Sequence, residues 1–599
     1  MRNDKPILMG KKKSVEKTKL PRIDFIRAAL LAILALLIWC TAYNRWTVES
    51  WQTPLAYRSD IQKRDVVDAL ARIKAARDGE LWPWHFTNIP QLGAPHDANW
   101  NDYPVMEKPL FCLAGLMAKM IGIFAAANLT VLLGQVLAAV SFYAACRMLN
   151  YSWIWAFAGA LIFAFARFAF AHGLHHIMIT YYWHLPLCLV VILWMMDKEG
   201  IGFGERRFIF ALIVAFITGI QNIYYTNLFA QFVLFAGLVQ GWRHGWRATW
   251  PALAIIGTAA AAFLLMNLNT IFYQLIHGPN TAAIVRVYAW MEIYGLKMVD
   301  LVVPPSDHPF PLFALWGTAH LKNLVLSAGE GFASGYLGIF GLGALAWLVV
   351  VSLRRVIEQE KLPIETFLIL WIFLYAEVGG INGVLGTLGF QLFRAATRYS
   401  IFILCLVLMY AVGQLSSFPW KKTYMAYEAA ILILLIALWD QMPPQVSAQE
   451  LKDTAQAIAS DRHFTERMEE HLPPNAMVFQ LPIIPFPETP GAGIGAYDHF
   501  RPYLYSRSLR FSFGSDKGRP EEAWQSRLSQ LSFREAVDQL ENYGFSAIYL
   551  NRDGFPDRGD VLLKNLQEMG YTDQIESDQK DLVCVLIKPS SQPVLPAAY

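Results

Sequence analysis

Long apolar runs, among them Ala28 to Tyr43 and Tyr399 to Val412, alternate with short basic stretches through the first 440 residues. At 1.5 Å rise per residue, a helix of about 20 such residues crosses a hydrocarbon core of roughly 30 Å. The pattern predicts about eleven transmembrane helices, at 24–43, 127–148, 153–171, 180–196, 208–223, 225–241, 250–273, 336–353, 364–381, 399–416 and 424–440. After residue 440 the pattern changes. Short strand-like apolar runs (Met477 to Ile484, Ser546 to Asn551, Leu582 to Ile587) alternate with helical stretches such as Asp560 to Met569. The fold class expected is an α-helical polytopic membrane protein with a C-terminal soluble α/β domain.

The basic residues give the spans a direction. With the N-terminus in the cytoplasm, the inner loops hold Arg147, Lys198 with Arg206 and Arg207, Arg243 with Arg247, Arg354 with Arg355 and Lys361, and Lys421 with Lys422. Each obeys the positive-inside rule. The agreement requires residues 109–125 to lie in the interface rather than cross. Lys108 and Lys119 fall on nearly one helical face there, as lysines reaching to headgroups would. The expected organisation is a basic cytoplasmic N-terminus (1–23), a membrane domain (24–440) with outward segments 44–126 and 274–335, and an outward soluble domain (441–599). The basic N-terminus precedes an apolar run with no small-residue cleavage site after it, so an uncleaved anchor is expected.

Composition supports this placement. The chain has 599 residues, 55% of them hydrophobic and 16% charged. A net charge of +3 with no dense basic tract beyond the N-terminus argues against a nucleic-acid partner. Most of the six cysteines lie in apolar runs, and no disulfide framework is implied.

Candidate chemistry collects in the outward segments. Ser59 with Gln62 forms a capping-box signature, so a helix is expected to begin there with Asp60 in its first turn and Asp65 beyond. A carboxylate this soon after a span could act as a base on an acceptor hydroxyl; equally, it could serve the helix dipole and pair with Arg64. Further on, the loop carries Trp82-Pro83-Trp84, Leu92-Gly93-Ala94-Pro95 and a run from Asn99 to Pro104. Asn101, Asp102, Tyr103, Glu107 and Lys108 are candidate substrate contacts, although aromatic and amide clusters are also usual in interface belts. His172, His175 and His176 share a face if their segment is helical. They suit a phosphate, or a divalent metal such as Mg or Mn, or separate interfacial partners. Arg394 and Arg398, four apart at the outer start of a span, stand where the orientation rule disfavours positive charge. Two guanidiniums on one face match phosphate oxygens, with snorkelling anchors as the alternative. In the proline-rich stretch Pro304 to Pro309, Asp307 and His308 are candidate substrate contacts on a stiff lid.

These features together resemble the GT-C superfamily of polytopic glycosyltransferases, relatives of the protein O-mannosyltransferases and aminoarabinose transferases, over most of residues 20–440. The features are an early outward acid, an interfacial helix, a histidine-bearing second outward loop, a late arginine-bearing outward loop and a soluble C-terminal domain. Leu-Gly-Ala-Pro in the first loop and Arg-x-x-x-Arg before a late span are closest to poorly characterised bacterial members. The resemblance implies a polyprenyl-phosphate-sugar donor, inversion at the anomeric carbon and a first-loop acid as base, by position Asp60. It also implies an outer-face site in a bacterial cytoplasmic membrane and a glycan, lipid or protein acceptor. Asp60 lacks the adjacent acid that many members show, which keeps Asp65 as a rival, and histidines stand where some members have Asp. The other functional classes open to this sequence are a transporter or flippase of lipid-linked sugars and a non-catalytic assembly protein. Transporters usually carry polar groups at mid-membrane.

Overall fold

The computed structural model describes residues 22–57, 65–84, 88–324 and 334–596. Among these, eight helices are long and apolar enough to cross a membrane, from Arg22–Tyr43 to Thr423–Gln441. Three shorter ones, Leu185–Met196, Arg206–Gly219 and Ile364–Ala376, fall at the other three predicted runs. The chain is a helical polytopic membrane protein with a C-terminal α/β domain. Helices Ile123–Met148, Trp153–Ala164 and Ser400–Ser417 are buried along most of their length and form the centre of the bundle. The flanking Arg22–Tyr43, Gly338–Ile357 and Thr423–Gln441 turn apolar side chains such as Leu30, Val350 and Leu435 outward. That outward apolar face is what a lipid surround requires.

The segment 109–125 breaks in two. Lys108–Ile121 is a helix of 14 residues, and Gly122, with φ of +84°, turns the chain into Ile123–Met148. At 1.5 Å per residue this first helix measures about 21 Å, short of a bilayer core. It leaves Leu113, Leu116 and Met120 exposed and packs its other side on the first-loop helix Val66–Asp78. Gly115 makes that approach possible, since a Cβ there would lie 2.6 Å from the Ala76 carbonyl carbon. Lys119 is exposed as expected, but Lys108 is not. Its ammonium is buried and donates to the Met266 carbonyl (3.1 Å) and to Asn269. The predicted pair of headgroup-seeking lysines is therefore one lysine, and burial pulls the pKa of Lys108 down to about 8.

The tail begins with the helix Ala448–His471, capped by Ser447, and closes on a five-stranded mixed sheet. The strand order is Arg510–Phe511, Met477–Leu481, Phe545–Asn551, Leu582–Leu586, Gln574–Glu576. The first three strands are parallel and the last two antiparallel to their neighbours. Three of these strands are the apolar runs expected from the sequence.

The first loop joins this sheet. Leu92 bridges Phe511 in parallel, the Ala94 N–H donates to Phe511 O (2.9 Å), and the Phe511 N–H donates to Gln91 O (2.8 Å). Leu92-Gly93-Ala94 therefore covers the edge strand Arg510–Phe511, which would otherwise expose a row of open backbone groups. Gly93 has φ of +76°, and a Cβ on it would sit 2.3 Å from Ser515 Oγ and 2.8 Å from the Ala98 nitrogen. Glycine is required there on both counts. Arg286 to Glu488 and Asn280 to the Lys517 carbonyl tie residues 274–323 to the same domain. Both large loops and the tail thus meet at one end of the bundle.

Candidate functional site

Several residues expected to contact substrate are engaged within this junction. Asp102 is buried, accepts two bonds from Arg519 (2.6 and 3.0 Å) and one from Asn280 (3.0 Å), and its backbone N–H donates to Asp516 (3.1 Å). Asn101 is buried against Asn99 and Thr270. Lys108 is held as described above. In the proline-rich stretch, Asp307 accepts a bidentate contact from Arg167 (2.5 and 2.7 Å). His308 is buried against Asp440 (3.2 Å), which also accepts from the Tyr336 hydroxyl and the Ile339 N–H. The stretch 304–309 is thereby bonded to the ends of two helices, Arg167–His172 and Thr423–Gln441. Each of these groups has a partner within the protein, and Asp307 stays partly exposed beside its own.

A second set is gathered differently. Asp60, with Ser59 and Gln62, lies outside the described residues; the helix that follows is seen from Val66. Asp65 occupies its N-cap position without a side-chain cap bond, leaving the carboxylate directed elsewhere. It lies 3.6 Å from His176 Nε2. The histidines are not on a regular helix, because Arg167–His172 ends at Gly173, whose φ is +47°. A single turn survives through the His176 N–H to His172 carbonyl bond (3.1 Å). That turn keeps the rings together, His172 to His176 at 5.6 Å and His175 to His176 at 4.6 Å.

The two arginines also reach the site by a route the sequence did not indicate. They do not share a helical face. Arg394 sits in an irregular stretch, and Arg398 in the 3-10 turn Ala396–Tyr399 that starts the span. Each guanidinium lies over aromatic rings instead: Arg394 over Trp290 (4.7 Å) and Tyr294 (5.9 Å), Arg398 over Tyr224 (4.8 Å). Stacking fixes the plane of a guanidinium.

Of the residues that connect these groups, sequence reasoning named Glu107 and Tyr103 and missed Asp68, Arg72, Arg286 and Glu488. Asp68 is buried and bonded to Arg72 (2.7 Å), whose guanidinium lies 4.9 Å from the ring of Tyr103. Burial pushes the Asp68 carboxyl up, Arg72 opposes this, and Asp65 and Glu488 add to it. Glu107 is buried at the N-cap of the helix Lys108–Ile121 and accepts from Asn222 Nδ2 (3.0 Å). Burial raises its carboxyl, against the pull of that bond and of Arg398 and Arg72. Glu488, from the tail, binds Arg286 through both oxygens (2.6 and 3.1 Å). Burial alone would raise it, but Arg286, with Arg394 and Lys517, holds it below the usual carboxylate range. Asp65, Asp68, Arg72, Glu107, Arg394, Arg398 and Glu488 therefore share one electrostatic field. Arg286 carried the same signal as Arg394, a positive charge in a loop that the sequence reading expects to face outward. Glu488 carried none, since it comes from the soluble tail.

A divalent metal was one reading of the histidines. Asp65 and His176 are brought together, but among the described residues no group of three or more His, Cys, Asp or Glu converges. The donor set among the described residues does not fit a metal ion.

No protein-family model matches the chain, and no curated relative matches it. Among solved structures it is similar to the archaeal oligosaccharyltransferase AglB from Archaeoglobus fulgidus, in complex with an inhibitory peptide and a dolichol-phosphate. That likeness has 12% identity and a TM-score of 0.46, over 89% of this chain and 70% of that one. It is also similar to ArnT from Cupriavidus metallidurans bound to undecaprenyl phosphate, with 13% identity and a TM-score of 0.43 over 96% and 100% of the two chains. The apo form of that ArnT gives 13% identity and 0.42 over 94% and 98%.

Proposed function

We propose that this chain is a glycosyltransferase of the cytoplasmic membrane that moves a sugar from a polyprenyl-phosphate donor to a glycan, lipid or protein acceptor on the outer face. The observation that carries this reading is the pair of ring-stacked guanidiniums, Arg394 and Arg398, in one field with the carboxylates of Glu107 and Glu488. Such a site has what the reaction needs. A first-loop carboxylate takes the acceptor hydroxyl proton as the oxygen attacks the anomeric carbon. The bond from that carbon to the phosphate oxygen breaks with inversion, and the lipid phosphate leaves with its electron pair and added charge. Arg394 and Arg398 stabilise that charge, and His175 or His176 steadies the phosphate. The resemblance set out above favours Asp60 as the base, and the contact between Asp65 and His176 favours its rival.

The test compares Asp60→Asn with Asp65→Asn in purified protein, following transfer of labelled sugar from a polyprenyl-phosphate donor. A general base contributes about 10²–10⁴-fold, so one variant should bind donor normally and lose nearly all transfer. Full transfer in both would overturn the mechanism. A second reading, a transporter of lipid-linked sugars, is favoured by one feature. Asn227 and Gln231 stand inside the helix Ile223–His244 and are bonded to Tyr375, Tyr399 and Trp371. Sugar movement across vesicles by the Asn variants, without transfer, would support that reading instead.

A further inference from the structure

The arginine-bearing stretch between Leu392 and Tyr399 has little regular structure of its own. What fixes it is a set of side chains from neighbouring elements. The Tyr224 hydroxyl donates to the Leu392 carbonyl (3.3 Å) and accepts from the Ala395 N–H (3.0 Å), so one atom holds the stretch on both sides of Arg394. The ring of the same tyrosine lies beneath the Arg398 guanidinium. Asn382 Nδ2 donates to the Phe393 carbonyl (2.8 Å), and the Thr397 N–H donates to the Tyr294 carbonyl (3.1 Å).

Below this bracket a ladder of polar side chains descends into the bundle. Asn227 Nδ2 donates to the hydroxyls of Tyr399 (2.9 Å) and Tyr375 (3.0 Å). Gln231 donates to Asn227 Oδ1 (3.2 Å), and Trp371 Nε1 donates to Gln231 Oε1 (2.8 Å). Residues 224, 227 and 231 fall at helical spacing on one side of Ile223–His244. Polar side chains inside a span are costly unless they are mutually bonded, and they mark function by default. Interhelical bonds of this kind could serve only as glue between helices. Here, however, the upper rungs end on Leu392, Ala395 and Tyr399, the residues flanking the two arginines.

We infer that Tyr224 is a positioning residue for the donor phosphate, beside Tyr399, which Asn227 holds from below. Tyr224 sets the plane of Arg398 through its ring and the height of Arg394 through its hydroxyl. This rests on the reading of Arg394 and Arg398 as phosphate ligands. Acting through the arginines, Tyr224 should govern donor affinity and leave acceptor recognition alone.

Four proteins decide the matter: wild type, Tyr224→Phe, Arg394→Ala and the double variant, each titrated with polyprenyl phosphate in detergent. Tyr224→Phe keeps the ring under Arg398 and removes the two hydrogen bonds that flank Arg394, so affinity should fall by about five- to twentyfold. In the Arg394→Ala background the same change should cost much less, because coupled residues are not additive. Donor KM should rise while acceptor KM stays unchanged. Unaltered affinity in Tyr224→Phe, or an equal loss in both backgrounds, overturns the inference while leaving the arginine reading intact. Normal affinity in Arg394→Ala overturns the reading itself, and the inference with it. Asn382→Ala, which releases the Phe393 carbonyl beside Arg394, gives the same comparison if Tyr224→Phe does not fold: it should weaken the donor only where Arg394 is present, and an equal loss without Arg394 counts against the inference.

Discussion

Arg501 and Arg398 belong to the same end of the molecule and are held in opposite ways. Arg501 is buried between two carboxylates, Asp461 and Asp581, and Asp461 also accepts the Tyr57 hydroxyl (2.7 Å). Arg398 is half-buried on the ring of Tyr224, close enough to Arg394 for each charge to oppose the other. The first arrangement pairs a guanidinium, through Nε and Nη2, with two of the protein's own acids. The second holds like charges together on aromatic faces. A fold has no use for repulsion of that kind, which is why the second set is the candidate for binding an anion. Asp102 with Arg519 and His308 with Asp440 belong with Arg501 by the same criterion.

Removing a guanidinium from the acid-paired set should have the largest effect. Arg501→Met leaves two buried carboxylates facing each other, and breaking a buried pair costs about 3–5 kcal/mol. The expected outcome is a large drop in unfolding temperature, measured by thermal denaturation in detergent, with normal donor affinity in whatever remains folded. Stability close to wild type would erase the distinction between the two sets. Arg394→Ala reverses the profile. Charge-assisted bonds are worth about 1.5–3 kcal/mol each, so polyprenyl phosphate binding should weaken at least tenfold. Its unfolding temperature should hold or rise, because the like charge of Arg398 loses its opponent. A destabilised protein with normal affinity would place Arg394 among the structural arginines.

What could be seen in the sequence follows the same division. The spans and three of the five strands were legible because period and length are local properties of the chain. The arginines stood out as charges at the start of a span, though the geometry inferred for them, one helical face, was not the one found. The partners of Lys108, Asn101 and Asp102 were illegible because nothing local announces a bond to Arg519, which is 417 residues from Asp102. Glu488 and Tyr224 were illegible for a related reason. One belongs to a soluble domain whose docking no local pattern encodes, and the other is one of many aromatic residues in an apolar run.

Glu488 offers the finest test, because it is a paired acid beside the ring-stacked arginines. Its carboxylate neutralises Arg286 and sits near Arg394, which holds its pKa below the ordinary value of 4.5. A carboxylate with a depressed folded-state pKa adds stability that is fully present above its unfolded pKa. That stability is lost as pH falls through the folded value. Glu488→Gln should therefore cost on the order of 1 kcal/mol near neutrality. The gap from wild type should close as pH is taken below about 4.5, followed by unfolding temperature across an acid series. The same change should act oppositely on ligand. With Arg286 no longer neutralised, the field at Arg394 becomes more positive, and polyprenyl phosphate should bind about two- to fivefold tighter at low salt. Added salt should remove that gain by screening. Lower stability with tighter binding is a combination that a purely structural ion pair would not produce. If Glu488→Gln weakens the donor instead, Glu488 acts on the ligand only by holding Arg286 in place, and the pair belongs with Arg501 rather than with Arg398.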